Sequence, residues 1–180
     1  IPESLPANPI SFYGVEKLAI EKYLAADEWA TGRPFASLRI ANPFGPFQRP
    51  GRGQGVVATM AGRILDGSSV EIWGDGNIVR DFIYVEDVVD ALVSSALYTG
   101  AERIFNIGSG VGRSVISIID DLRRMTGKDA TVQFQDARAA DVPFNVLDVS
   151  RAERELTWVP KTSWNDGLRQ TIDWLRTELG

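Results

Sequence analysis

Segments with helical periodicity alternate with short strand-like segments along almost the whole 180-residue sequence. Apolar residues recur at helical spacing in residues 12–30, 56–65, 86–98, 115–126 and 164–179. Short runs typical of strands lie at residues 35–40, 70–73, 80–85, 104–107 and 131–134. Alternation of this kind predicts an α/β fold.

Local signals mark where several of these elements begin and end. Ser11 can cap the first helix, and Gly32 would end it. The last helix begins with the capping box Ser163-x-x-Asp166. Residues 42–55 contain seven Gly or Pro among 14 positions and predict an irregular loop, which in a compact domain is usually functional or mobile.

The composition excludes several kinds of chemistry. The sequence has no Cys and no His, so disulfides, thiol nucleophiles, the usual zinc sites and His-based triads are excluded, and we expect no metal. Nineteen basic residues against 24 acidic ones give a net charge of −5, which argues against nucleic acid or an anionic membrane as the main partner. Acid–base chemistry must therefore use Asp, Glu, Lys or Tyr.

Tyr13 and Lys17 form the sharpest candidate pair. At positions i and i+4 near a helix start they share one face, so the ammonium can act on the phenol. A free phenol is a poor base at neutral pH, and a neighbouring cation favours its anion. A Tyr activated in this way could take a proton from a sugar hydroxyl. The spacing alone is equally compatible with a surface Tyr beside a solvated Lys.

The Gly-rich segment GSGVGRS (108–114) lies between a predicted strand and a predicted helix. It lacks the Gly and Lys positions of a Walker loop, with Ile107 and Arg113 in their places, and it does not fit a dinucleotide fingerprint. A tight turn before a capped helix is the better interpretation, although its backbone N–H groups can still face an anion.

Arg80, Arg138 and Asp141 are charges beside apolar segments, and Trp73 precedes the first of them. Surface ion pairs are the simpler interpretation. The alternative is a clamp on a nucleoside diphosphate, since Arg pairs bidentately with phosphate and an aromatic ring can hold a base. Spacing alone leaves both open.

Taken together, the sequence resembles the extended short-chain dehydrogenase/reductase family, and specifically the C-terminal half of UDP-glucose 4-epimerase-like enzymes. The resemblance runs along nearly the whole chain. The segments that show it are YGVEK (13–17), SLRIANPFGPFQ (37–48), VEIWGDGNIVRDFIYVEDVVDA (70–91), FNIGSG (105–110), ARAADVPFNVLDVSRAERELTW (137–158) and WNDGLRQTIDWL (164–175).

The resemblance implies an NAD-dependent nucleotide-sugar epimerase that interconverts UDP-hexoses at C4 through a 4-keto intermediate. Tyr13 would be the catalytic base, Lys17 would hold the nicotinamide ribose, and Ile40 would border the nicotinamide. The resemblance further implies a cytoplasmic enzyme.

The same resemblance assigns contacts to the nucleotide phosphates. Asn42 would contact a phosphate, and Val56 opens a helix whose amide end would face the diphosphate, in agreement with anion binding at helix N-termini. Arg80 and Arg138 would be the two phosphate arginines.

Four further positions would contact the rest of the nucleotide sugar. Glu71 and Trp73 match residues that hold the uracil, and Asp141 matches the acid on the nucleotide ribose. Asn145 stands where some 4-epimerases carry a Tyr that helps to set sugar size.

The resemblance also predicts the domain organisation. Residues 1–50 would be a residual Rossmann part with the Tyr13–Lys17 helix and the strand after it. Residues 51–180 would mainly form the sugar-nucleotide-binding domain, with the strand near 104–107 and its adjoining helix returning to the Rossmann sheet. The sequence lacks a dinucleotide fingerprint and opens without Met, so we expect an N-terminal Rossmann half elsewhere and an inactive isolated chain.

Two rival interpretations remain open. One is another chemistry of the family, namely a 4,6-dehydratase, a decarboxylase or a reductase. The other is a non-catalytic sugar-nucleotide-binding module. For the full-length enzyme, the resemblance implies a homodimer through the Tyr13–Lys17 helix and an upstream helix, of which the sequence contains only the first.

Overall fold

The computed structural model describes residues 1–51, 55–137 and 142–179 and confirms the predicted α/β class. Helices and strands alternate along this part of the chain. In chain order they are α1 (Phe12–Thr31), β1 (Ser37–Ile40), β2 (Asn42–Phe44), α2 (Val56–Asp66), β3 (Val70–Trp73), β4 (Val79–Tyr84), α3 (Val85–Ala96), β5 (Ile104–Ile107), β6 (Gly112–Ser114), α4 (Val115–Thr126), β7 (Val132–Gln135), β8 (Phe144–Asn145), α5 (Ser150–Leu156) and α6 (Trp164–Leu179).

The strands pair mainly in parallel. β1 runs parallel to β5, with Ile40 opposite Ile107. β4 is the central strand of a second sheet: it runs parallel to β2 and β8 and antiparallel to β6. β3 pairs with β7 in parallel. The strands on either side of the turn at residues 74–77 thus belong to different sheets.

Two clusters of buried apolar residues hold the helices and sheets together, and β4 contributes to both. Phe82 and Tyr84 pack in the cluster formed by α2, α4 and α6, whereas Ile83 packs in the cluster formed by β5, α3 and α5. This division follows from the strand period, since successive side chains of a strand point to opposite faces. The strand that carries Arg80 is therefore fixed on both sides.

Several predicted boundaries are confirmed. The Ser11 side chain caps α1, Ser163 Oγ accepts a hydrogen bond from the backbone of Asp166, and Gly32 ends α1 in the left-handed conformation. Two expectations need correction. Residues 42–55 are not wholly irregular, because β2 begins at Asn42, and the predicted loop before residue 148 contains β8.

Candidate active-site cleft

α1 presents Tyr13 and Lys17 on one face, as their spacing predicts. The Lys17 Nζ lies 5.0 Å from the centroid of the Tyr13 ring, and the Tyr13 residue is 68% exposed. The Ser11 Oγ accepts a hydrogen bond from the Gly14 backbone at 3.1 Å, which fixes the start of the helix. A Cβ at Gly14 would come within 2.9 Å of Pro9 Cβ, so the preceding segment packs closely on this end of α1.

Two ion pairs attach α1 to the β1–β5 sheet. Arg39 donates two hydrogen bonds to the carboxylate of Glu21, each 2.7 Å long, and Arg103 donates one of 2.7 Å to Glu28. The hydrogen bonding to Glu21 raises the pKa of Arg39 above its usual value. Since no residue of α1 is buried, these polar contacts rather than an apolar core orient the helix.

A cleft of about 850 Å³ opens beside this face of α1. Most of the predicted site residues that the structure describes line it. They are Tyr13, Lys17, Ile40, Asn42, Val56, Arg80 and Asn145. The cleft therefore brings together residues from α1, β1, β2, α2, β4 and β8, which are far apart in sequence.

The N-terminus of α2 forms one wall of the cleft. Gly55 precedes the helix in the left-handed conformation, and no side chain caps the first turn. Gly55, Val56 and Val57 all line the cleft. The first N–H groups of a helix have no partner within the helix, and they carry partial positive charge. This wall is suited to binding an anion.

Arg80 and Asn42 are held in place by backbone carbonyl groups. Arg80 donates hydrogen bonds to the carbonyl oxygens of Val79 and Val142. The Asn42 Nδ2 donates to the carbonyl oxygen of Asp81 at 2.8 Å. Both side chains therefore line the cleft in defined positions.

The Gly-rich turn at residues 108–111 faces an anion, but the anion is an internal carboxylate. Asp81 is 1% exposed, and its carboxylate accepts hydrogen bonds from the backbone N–H groups of Ser109 at 2.8 Å and Gly110 at 3.2 Å. Ser109 Oγ and the Leu147 backbone also donate to it. The interpretation as a structural turn fits this arrangement, because these amides already bind Asp81.

Two predicted site residues lie away from the cleft. Glu71 forms an ion pair with Arg63 at 3.2 Å, and Trp73 is 42% exposed at the end of β3. Neither is among the residues that line the cleft. Arg138 and Asp141 lie outside the residues that the structure describes.

Sequence reasoning missed some cleft residues. Pro6, Ala7, Asn8 and Pro9 line the cleft, although the sequence suggested only a Pro-rich entry to the first helix. Gln48 also lines it, within the segment predicted as a loop, and donates to the Pro43 carbonyl at 3.2 Å. The Gly and Pro content of that loop was the only signal available.

A family model described as "NAD dependent epimerase/dehydratase family" matches residues 2–108, which is more than half of the 180 residues. The chain belongs to this family. The resemblance seen in the sequence is thus confirmed, and with it the Rossmann-like character of the fold.

Individual members of the epimerase/dehydratase family are similar over nearly the whole chain. The UDP-glucose 4-epimerase from Thermotoga maritima, solved with UDP-glucose, matches 100% of this chain and 58% of its own, with 39% identity and a TM-score of 0.96. The enzyme of the same name from Thermus thermophilus, solved in complex with NAD, matches 97% of this chain and 57% of its own, with 34% identity and a TM-score of 0.90.

A curated relative with a different activity is also similar. The dTDP-4-dehydro-6-deoxyglucose reductase of Escherichia coli is 35% identical over 164 residues, which are 91% of this chain and 52% of the relative. The chain spans about half the length of the curated relatives it matches. In the three ranges described above, no helix has both the length and the apolar character needed to cross a membrane.

Proposed function

We propose that this chain supplies the acid–base pair and the nucleotide-sugar cleft of an NAD-dependent 4-epimerase acting on UDP-hexoses. The observation that carries the proposal is the convergence of Tyr13 and Lys17 with the N-terminus of α2 in one cleft. A proton acceptor and an anion-binding wall are what a reaction at a sugar carbon of a nucleoside diphosphate sugar requires.

In this proposal Tyr13 takes the proton of the C4 hydroxyl, and the positive charge of Lys17 favours the phenolate. Lys17 and Ile40 would hold the nicotinamide end of NAD, because both line the same cleft as Tyr13. When bound, NAD supplies the capacity to accept hydride from C4 and to return it to the sugar. The chain itself contributes positioning and charge.

The opposite wall would hold the diphosphate. The amide end of α2, the Arg80 guanidinium and Asn42 all line the cleft. Arg138 remains our second proposed phosphate ligand. Anchoring the diphosphate there leaves the hexose able to turn and present either face to the cofactor.

The remaining assignments concern the ends of the nucleotide sugar. Asn145 lines the cleft and is proposed to contact the hexose. Asp141 is proposed to bind the nucleotide ribose, and Glu71 with Trp73 the uracil. Because Glu71 and Trp73 lie outside the cleft, their contact would have to be at its margin.

The test is turnover of UDP-glucose by the full-length gene product with NAD, followed by proton NMR of the sugar anomeric signals. We expect UDP-galactose to form and Tyr13→Phe to reduce the rate by about 10²-fold or more, the usual contribution of an acid–base group. Tyr23→Phe is the matched control, because Tyr23 is an exposed tyrosine of α1 with Asp27 rather than Lys four residues later. Unchanged turnover by Tyr13→Phe would refute the assignment of the base.

A reductase is the second candidate, favoured by the similarity to the E. coli dTDP-4-dehydro-6-deoxyglucose reductase. It would use the same acid–base pair with Tyr13 as the proton donor. Loss of NADH or NADPH absorbance with a nucleotide 4-keto sugar, together with no conversion of UDP-glucose, would favour this candidate. If UDP binds but neither reaction occurs, a non-catalytic binding module is the better description.

We also propose that the full-length protein is cytoplasmic, that it contains an N-terminal Rossmann half and that it forms a homodimer through α1. Two observations support the last two points: the chain spans about half the length of its relatives, and α1 leaves Phe12, Tyr23 and Trp29 exposed by 92%, 76% and 90%. Light scattering of the gene product measures the oligomer. NAD titration of the 180-residue chain should show weak or no binding, and the chain alone should not convert UDP-glucose.

A further inference from the structure

The face of α1 that carries Tyr13 and Lys17 also carries an acidic residue. Glu21 lies four residues after Lys17, so its carboxylate is within reach of the Lys17 ammonium on the helix surface. Tyr13, Lys17 and Glu21 all line the cleft. A carboxylate at this spacing would be expected to pair with Lys17 and to reduce its effect on the phenol.

In the structure Glu21 pairs with Arg39 instead. Arg39 Nε donates to one oxygen of Glu21 and Arg39 Nη2 donates to the other, both at 2.7 Å. The Glu21 side chain is only 12% exposed and that of Arg39 is 28% exposed. A planar guanidinium that binds both carboxylate oxygens is a geometry that an ammonium cannot match.

Lys17 is left beside Tyr13 as a result. Its Nζ lies over the Tyr13 ring, and within the part of the chain that the structure describes it forms no ion pair. Arg39 directly precedes Ile40 on β1, and both residues line the cleft, so the residue that binds Glu21 belongs to a strand of the same cleft.

We propose that Arg39 is a positioning residue that binds Glu21 and thereby reserves Lys17 for Tyr13. The proposal rests on the proposed function, in which Tyr13 is the base. Without Arg39, the Glu21 carboxylate would lose both of its hydrogen bonds and would draw the Lys17 ammonium away from the phenol. Arg39 would then govern the rate of the chemical step without touching the substrate.

The chain offers a matched control for this idea. Arg103 binds Glu28 of the same helix at 2.7 Å, and these side chains are 27% and 26% exposed. Arg103→Met would remove the arginine that binds Glu28, just as Arg39→Met removes the arginine that binds Glu21. Glu28 is eleven residues from Lys17, too far along α1 for the two to be helical neighbours. A purely structural role in holding α1 would affect both variants alike.

The first experiment is a crystal structure of the Arg39→Met chain, which requires no activity. We expect Lys17 Nζ to move from the Tyr13 ring to within 4 Å of the Glu21 carboxylate. Lys17 remaining over Tyr13 would overturn the proposal even if the proposed function is correct. The wild-type chain and Arg103→Met provide the two reference structures, and in both Lys17 should stay over Tyr13.

The second experiment measures kcat and KM of the full-length gene product with UDP-glucose. Arg39→Met should lower kcat about tenfold, a part of what an acid–base group contributes, and should leave KM within about twofold. The double variant Arg39→Met with Glu21→Gln should recover most of kcat, while Arg103→Met should stay within about twofold of wild type. An equal loss in Arg103→Met, or no recovery in the double variant, would overturn the proposal. Absence of turnover in wild type refutes the proposed function instead and leaves the crystallographic result to decide.

Discussion

The buried carboxylate of Asp81 gives the sharpest stability prediction. Its Oδ1 accepts hydrogen bonds from the Ser109 backbone at 2.8 Å and from Ser109 Oγ at 2.7 Å. Its Oδ2 accepts from the backbones of Gly110 at 3.2 Å and Leu147 at 3.3 Å. One side chain of β4 thus joins the Gly-rich turn to the segment that follows β8.

Asp81→Asn should destabilise the fold by about 3 kcal/mol. The amide can keep its oxygen towards Ser109, but its NH₂ group then faces the N–H groups of Gly110 and Leu147. Two buried donors lose their acceptor, and each such loss costs about 1–3 kcal/mol. The side chain has no room to turn away, since a Cβ at Gly108 would already lie 2.4 Å from Oδ2.

Urea denaturation followed by tryptophan fluorescence measures this loss of unfolding free energy. Asp66→Asn is the control, because the Asp66 carboxylate also accepts a backbone N–H, that of Ser68 at 2.8 Å, but lies at the surface. The control should change stability little, since its Oδ1 is retained and water can reach the new amide. A loss below about 1 kcal/mol in Asp81→Asn would refute the reasoning, because it would mean that the two amides find other partners.

Three further predictions concern the cleft and the last helix. Tyr13→Phe should leave the UDP affinity of the chain, measured by calorimetry, within about threefold, because the Tyr13 hydroxyl is proposed to act on the sugar and not on UDP. Arg80→Ala, and separately Arg138→Ala, should each weaken UDP binding about tenfold in the same assay, and unchanged affinity would mark both as surface charges. Ser163→Ala should lower the unfolding free energy by about 1 kcal/mol, measured by thermal denaturation. Because the hydrogen bond that Ser163 Oγ donates to the Asp166 carboxylate lowers the pKa of Asp166, the part of this advantage that comes from that bond should be present above about pH 4 and be lost as the pH falls further.

Local signals predicted the elements whose ends depend on nearby residues. The Ser11 cap and the Gly32 stop define α1 because their hydrogen bonds reach only three or four residues along the chain. The relation of Tyr13 to Lys17 follows from the same helix geometry. These features were predictable from the sequence because a helix satisfies its hydrogen bonds within itself.

The strands that sequence reasoning missed depend on distant partners. β2 is three residues long and contains Pro43, and it pairs with β4 some 40 residues later. β8 has only two residues and also pairs with β4. No local pattern marks such short parallel strands, because their stability comes from a neighbour brought close by the rest of the fold.

The site was predictable in part. The described residues that the resemblance named lie on seven different elements, and the structure brings those of six elements to one cleft. The resemblance could not show that Asp81 binds the amides of the Gly-rich turn, or that Arg39 binds Glu21. Both contacts join residues remote in sequence, and neither residue stands in a motif with its partner.

The net charge of −5 belongs to the whole surface and does not describe the cleft. Two carboxylates are among its described lining residues, and the fold engages both: Glu21 binds a guanidinium and Asp81 binds backbone amides. The basic side chains lining it are Lys17, Arg80 and Arg39, the last of which is the guanidinium that binds Glu21. A diphosphate entering the cleft would therefore meet basic groups and the positive end of α2, because the two carboxylates of the cleft are already bound by groups of the protein. An acidic chain can bind a small anion in this way, although its overall charge disfavours an extended one such as nucleic acid.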